Sequence, residues 1–321
     1  MRIGSKWLRI AGLVAVIALL PLLFPSGYYY RVCALIFVNS LSVIGLVILV
    51  GYAGQVSLGH AGFAGIGAYA CALAPEHLGL HPALALVLGG VVSGGLSPLI
   101  GRPLLRLSGY YLAVATLGFG ILVTIFLANE RELTGGPDGM AVADIGLRTL
   151  LRELGWRVSA GEMWYVISGI FLVAGVWIAQ NLFDSPTGRA MRAVHGSETA
   201  ARTVGIDVTR QKLIAFVLAA VYASVAGSLL ALQNRFITPD VAGFQHSIEL
   251  VTMAVLGGIG SVFGGMLGAS VLTLVPQVLT GLADYEHIVF GAVMMLTMIY
   301  MPRGILPSLV RWVERRRNAP A

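Results

Sequence analysis

Apolar residues run along this chain in blocks of membrane-crossing length, broken by short polar stretches. The clearest blocks are Ile10–Phe24, Val32–Val50, Ala83–Ile100, Tyr110–Ala128, Met163–Leu182, Leu213–Leu232 and Ile288–Met301. A helix needs about 20 residues to cross a ~30 Å hydrocarbon core, so each block reads as a crossing. Two further stretches are apolar but interrupted. Gly51–Ala70 leads into an apolar stretch ending near Ala74, and a turn at Pro75–Pro82 follows. Ile248–Leu282 is too long for one crossing and carries GGIGSVFGG at Gly257–Gly265, which predicts two crossings or one broken re-entrant pair. The pattern is that of one all-α polytopic membrane domain, residues 1–321, with eight to ten spanning helices and glycine-broken segments.

Composition strengthens that class. Hydrophobic residues make up 57% of the chain and charged residues 11%, against about 25% charged in soluble domains. Mean hydropathy is +0.85, and the 41 glycines suit helices that approach closely in lipid. A large soluble enzyme domain is excluded, and no catalytic constellation is indicated. Cys33 and Cys71, the only cysteines, lie in apolar segments without ligand-like spacing, so neither a disulfide framework nor a metal site is expected.

The net charge of +6 is a topology signal, since Lys and Arg accumulate on the cytoplasmic side. Residues 1–30 read as a basic start, an apolar helix and an outer turn whose tyrosines, Tyr28–Tyr30, suit an interface. A leader peptide has a similar start, but no small-residue cleavage pattern follows, which favours a retained helix. With both termini cytoplasmic, the inner segments hold fifteen of the 21 basic residues and only Asp184, Glu198, Asp207 and Glu314 among the acids. The 303–321 tail is then a basic surface anchor, the 183–212 loop is cytoplasmic, and the glycine-rich 129–162 loop faces out.

The loop from Ser185 to Lys212 carries the best helix signals. Ser185 is an N-cap with Pro186 at the first helical position, and Arg189, Arg192 and His195 follow at helical spacing. Ser197 caps a second, very short helix, Glu198–Val204, with Gly205 as its left-handed stop. Asp207 caps the next long helix. A two-turn helix bounded in this way is built to be touched by something else.

The glycine-broken blocks carry the other polar residues. Gln55, Ser57, Gly59 and His60 stand among recurring glycines, and Gly257, Gly258 and Gly260 interrupt the second block. Tight helix packing explains such glycines. A broken helix lining a solute path explains them as well, with freed backbone groups and polar side chains meeting solute. His60 has no carboxylate close in sequence and reads as a helix–helix hydrogen-bonding partner. Glu249 could pair with an arginine or a solute ammonium, and is expected at the outer interface. The outer LTGGPDGM, with Gly135, Gly136, Pro137 and Asp138, has turn chemistry.

Five blocks in order, GYAGQVSLGHAGFAGIGAYA, LTGGPDGM, SPTGRAMRAV with TAARTVGIDVTRQK, IELVTMAVLGGIGSVFGGMLGA, and MPRGIL, resemble the permeases of branched-chain amino acid ABC importers, specifically the second of the two paired subunits. The resemblance covers roughly residues 31–307. It implies that Glu198, Ala200, Ala201 and Gly205, with Arg189 and Arg192, form the coupling helix that enters a groove on an ATPase, although the run Glu-Thr-Ala-Ala departs from the family's Glu-Ala-Ala. It also implies a homologous second permease, two cytoplasmic ATPases, and an extracytoplasmic solute-binding protein docking near Gly135–Asp138. The expected location is a bacterial-type inner membrane with surrounding lipid. No Gly-x-x-x-x-Gly-Lys-Ser/Thr loop occurs, so ATP would be bound by partner chains and no cofactor by this one. Branched-chain amino acids are the default solute. Urea, short amides, other amino acids and aromatic acids are served by similar permeases, and an ion-coupled carrier or channel is the rival from another class.

Overall fold

The computed structural model describes residues 3–23, 26–153, 155, 158–278, 291–292, 295, 299 and 304–308. Helices follow one another in the order α1 (Ile3–Leu23), α2 (Gly27–Leu46, prolonged by a π-helical end, Val47–Tyr52), α3 (His60–Leu78), α4 (Pro82–Leu104) and α5 (Tyr110–Asn129). Short α6 (Arg131–Thr134) and α7 (Leu147–Glu153) precede α8 (Ala160–Asp184). Then come α9 (Pro186–Gly196), α10 (Glu198–Thr203), α11 (Val208–Asn234), α12 (Phe244–Gly257) and α13 (Val262–Val278). Among the described residues, five helices are long and apolar enough to cross a membrane: α2 with its π-helical end, α4, α5, α8 and α11. The expected last span and the basic tail lie outside the described residues, apart from isolated positions.

Small residues determine which helices touch. A Cβ on Gly227 of α11 would overlap the Ala64 carbonyl oxygen of α3, and one on Gly67 would overlap Ser224. Ser228 Oγ donates to the Gly67 carbonyl at 2.9 Å. Such close backbone approach provides the dispersion contact and hydrogen bonding that hold helices together in lipid. Gly101, Gly94 and Gly90 of α4 meet Phe216, Val221 and Val225 of α11 in turn, so these two helices run antiparallel. α2 and α8 run parallel: Gly161 packs on Gly27, Gly169 on Phe37, and Gly175 on Leu41.

Helix ends differ from the sequence reading in places. α4 continues through Arg102 and Pro103 to Leu104. α3 runs through Pro75, so the turn before α4 is only Gly79–His81. α1 begins ahead of its apolar run, and Lys6 donates to Asn181 of α8. The 129–162 loop has structure of its own. Its Met140–Ala141 strand, β1, pairs antiparallel with β2, Phe236–Ile237, and Asp144 bonds Arg235 at 2.5 Å. The loops after α5 and α11 therefore share one face of the bundle, as the charge count requires. α8 opens on a capping box, Ser159 with Glu162.

Candidate functional site: a loop joined to two broken helices

The loop after α8 forms as its caps predict. Ser185 Oγ accepts from Gly188 N at 3.1 Å, Ser197 Oγ from Ala200 N at 3.3 Å, and Asp207 Oδ1 from Arg210 N at 3.0 Å. Gly205 takes φ +80°, the left-handed value that stops α10. Its residues then divide between two faces. Ala201 is buried with Val194, Val208 and Ile206 in a small cluster under the loop, whereas Ala200, Thr203 and Val204 face solvent. Val204 is 73% exposed.

Several charged residues of this loop bond back to the protein and hold it in place. Glu198 Oε1 bonds the buried Lys212 Nζ at 2.5 Å, with Arg202 at 3.8 Å from its other oxygen. Glu198 is therefore an internal anchor for α10 on the start of α11. Arg189 Nη1 donates to the Asp184 carbonyl at 2.8 Å and Arg192 Nη1 to the Phe183 carbonyl at 3.0 Å. Both arginines thus satisfy carbonyls left open at the C-terminal end of α8, where positive charge is favoured. Arg192 also lies over the Tyr52 ring, 5.6 Å from its centroid. Tyr52 stacks on Phe183, with centroids 3.5 Å apart and planes 5° from parallel. The loop is in this way fastened to the ends of both α8 and α2.

The end of α2 is where the first break begins. Val47–Tyr52 is a π-helical turn, with Ala53 N bonded to the Ile48 carbonyl and Gln55 N to that of Leu49. Gly51 touches the second break: a Cβ there would overlap the Ile259 carbonyl oxygen. The second break itself is built by glycine contacts, Gly257 on Gly264 and Gly258 (φ +110°) beside Gly304. Gly260 meets nothing within 4 Å. The structure thus brings both glycine-broken segments together beside α9.

From Tyr52 an irregular segment, with Gly54 at φ +67°, leads to α3. Gly59 packs on the Thr116 carbonyl and Gly120 of α5, and Leu58 N donates to Thr116 Oγ1. Burial alternates across this segment. Gln55 and Ser57 point into the subunit, while Gly54 and Val56 are exposed, Val56 at 44%. The exposed face of this segment is therefore apolar. Gln55 is 2% exposed, and neither its amide nitrogen nor its oxygen has a hydrogen-bond partner among the described residues. His60 is buried, and its Nε2–H donates to the Ser42 carbonyl at 3.0 Å, as the helix-partner reading expects.

On the opposite face, Gly135, Gly136 and Gly139 all take positive φ. Thr134 Oγ1 donates to carbonyls of Leu127 and Glu130, fixing the turn on the end of α5. Gly136 is buried; Gly135, Pro137 and Asp138 are exposed. Sequence reasoning missed Tyr52, Phe183 and Lys212. Their partners lie on other elements, which the sequence alone does not bring together.

Comparison with known proteins agrees with this architecture. Residues 28–298 match the family described as branched-chain amino acid transport system permease component. The chain is 36% identical over 284 residues to the high-affinity branched-chain amino acid transport system permease protein LivM of Salmonella typhimurium, covering 82% of this chain and 66% of that protein. It is 27% identical over 283 residues to Escherichia coli LivH, covering 83% and 90%. It is 30% identical over 181 residues to the autoinducer 2 import system permease protein LsrC of Klebsiella pneumoniae, covering 54% and 48%. The chain thus spans just under two thirds of the length of the Salmonella typhimurium LivM. No solved structure matches it. On the extent of these matches, the chain belongs to the branched-chain amino acid transport system permease family.

Proposed function

We propose that this chain is a transmembrane permease subunit of an ATP-driven importer and that branched-chain amino acids are its solutes. The observation that carries the reading is the α9–α10 loop. It presents Ala200 and Val204 outward while its arginines and Glu198 lock it to α8, α11 and, through Tyr52, to α2. A push on such a loop reaches both helix breaks without passing through a flexible linker. LivM and LivH relatives support a homologous second permease as partner. Two ABC ATPases would bind and hydrolyse the ATP and seat α10, on the cytoplasmic side. A solute-binding protein would dock around Gly135–Asp138 on the outer side. Both termini would be cytoplasmic in an inner membrane. LsrC, named for autoinducer 2 import, keeps other solutes open, among them urea, short amides, other amino acids and aromatic acids.

Extraction of the tagged chain from its native membrane in mild detergent, followed by mass spectrometry, tests this reading. Two ABC ATPases and a second permease in the eluate support it. Recovery of this chain alone, active in liposomes without ATP, replaces it with a secondary carrier.

A further inference from the structure

Glu249 does not sit at the outer interface, where the sequence reading expected it. Gly59 and Gly62 pack on Thr116–Gly120, the middle of the 20-residue α5. His60 and Ala61, between those glycines, are therefore at mid-span. Ala61 N donates to Ser247 Oγ of α12 at 3.1 Å, which places Ser247 at the same depth. Glu249 is two residues on, about 3 Å further along a helix axis. A carboxylate stands about 10 Å from the nearer end of α5, at a depth where ionisable groups are costly unless they face water or find a partner.

The face that carries it is turned away from the subunit's own core. Ser247, Leu250, Met253, Ala254 and Gly257 are buried, while Phe244, Gln245 and Ile248 are exposed and the Glu249 side chain keeps 35% of its surface. Among the described residues its ion-pair partner is His246, whose Nδ1 is 3.4 Å from Oε2. That contact is long, and no Lys or Arg within 4 Å balances the charge among the described residues. The arrangement is a half-open anionic spot with Ile248 and Phe244 on the same exposed stripe.

We propose that Glu249, oriented by His246, is a mid-membrane station that receives the ammonium group of an amino-acid solute, with Ile248 and Phe244 beside its apolar side chain. This rests on the importer reading above. A primary ammonium complements a carboxylate that has no Lys or Arg within 4 Å among the described residues, and a carboxylate–ammonium contact is a strong, charge-assisted hydrogen bond. The long His246 contact leaves room for exchange, which a path needs more than tight binding.

The test places a cysteine at Ile248 in the assembled complex in native membranes. Labelling by 2-aminoethyl and by 2-sulfonatoethyl methanethiosulfonate is followed by mass spectrometry of the α12 peptide. After normalisation to a free thiol, the cationic reagent should react about ten-fold faster. Glu249→Gln in the same chain should bring the two rates within about two-fold, and Glu249→Asp should keep most of the preference. Leucine-loaded binding protein with ATP should slow the cationic reaction. An unreactive Ile248→Cys, or a preference that survives Glu249→Gln, overturns the station. A preference that leucine does not reduce overturns the amino-acid occupant. Failure of the importer reading appears separately, as wild-type uptake that needs no ATP.

Discussion

Tyr52 and Phe183 lie flat against one another, ring centroids 3.5 Å apart, and this stack ties the π-helical end of α2 to the last turn of α8. Arg192 links both to the α9–α10 loop: its guanidinium lies over the Tyr52 ring and bonds the Phe183 carbonyl. One residue before Tyr52, Gly51 abuts Ile259 of the second break. A continuous set of contacts therefore runs from α10 to both interrupted segments.

Cutting that set at its aromatic step should uncouple the protein without unfolding it. Tyr52→Ala removes a ring pair and a cation–π contact worth about 1–2 kcal/mol together. Coupled uptake should fall about ten-fold, the scale of ordinary coupling free energies, while Tyr52→Phe keeps the stack and most of the uptake. Transport assays on membranes with matched expression check this. Equal uptake by Tyr52→Ala would remove the stack from the mechanism.

The two alanines of α10 should behave differently. Ala201 is buried against Val194 and Val208, so Ala201→Leu overpacks the loop at a cost of about 1–3 kcal/mol. Ala200 is exposed, so Ala200→Trp should leave thermal stability unchanged while blocking ATPase docking. Thermal melts of the purified protein, paired with co-purification of the ATPases, separate these outcomes.

The Glu198–Lys212 pair should be asymmetric. Lys212 is buried and Glu198 is partly exposed. Glu198→Ala strands a buried ammonium, while Lys212→Met leaves a carboxylate that water and Arg202 can reach. The first should cost about 1–2 kcal/mol more than the second, by the penalty for an uncompensated buried charge discounted for partial exposure. A double-mutant cycle in stability measurements gives the coupling directly.

The amide of Gln55, which has no hydrogen-bond partner among the described residues, predicts a gain in stability at the expense of function. An unsatisfied buried amide costs about 1–3 kcal/mol, so Gln55→Met should hold or raise the melting temperature of the isolated subunit. If that amide finds its partner in another conformational state, uptake falls at the same time. Lower stability in Gln55→Met would instead mean that the amide is already satisfied in the resting protein.

Much of the loop was legible in advance because caps are local. Ser185, Ser197, Gly205 and Asp207 act on backbone groups within a few residues, so their spacing alone specifies α9, α10 and the start of α11. The all-α class and the pair α12–α13 were legible from apolar block lengths and from GGIGSVFGG. What depended on distant partners was not. The inward turn of Gln55 and Ser57 goes with the contacts that the following Leu58 and Gly59 make with α5, and nothing in GYAGQVSLGH announces it. Glu198 looked available to a partner because Lys212 stands fourteen residues away, across a helix stop. The depth of Glu249 was hidden because the chain after α11 dips back along α3 before α12 begins, with Ala242 against Gly65.

The most direct test is leucine uptake into proteoliposomes that hold this chain with its co-purified partners, followed with and without ATP and with Ala200→Trp. The account predicts uptake that requires ATP and leucine-loaded binding protein and is lost in Ala200→Trp although that variant folds. Uptake by this chain alone under an ion gradient without ATP, or wild-type uptake by Ala200→Trp, would contradict it.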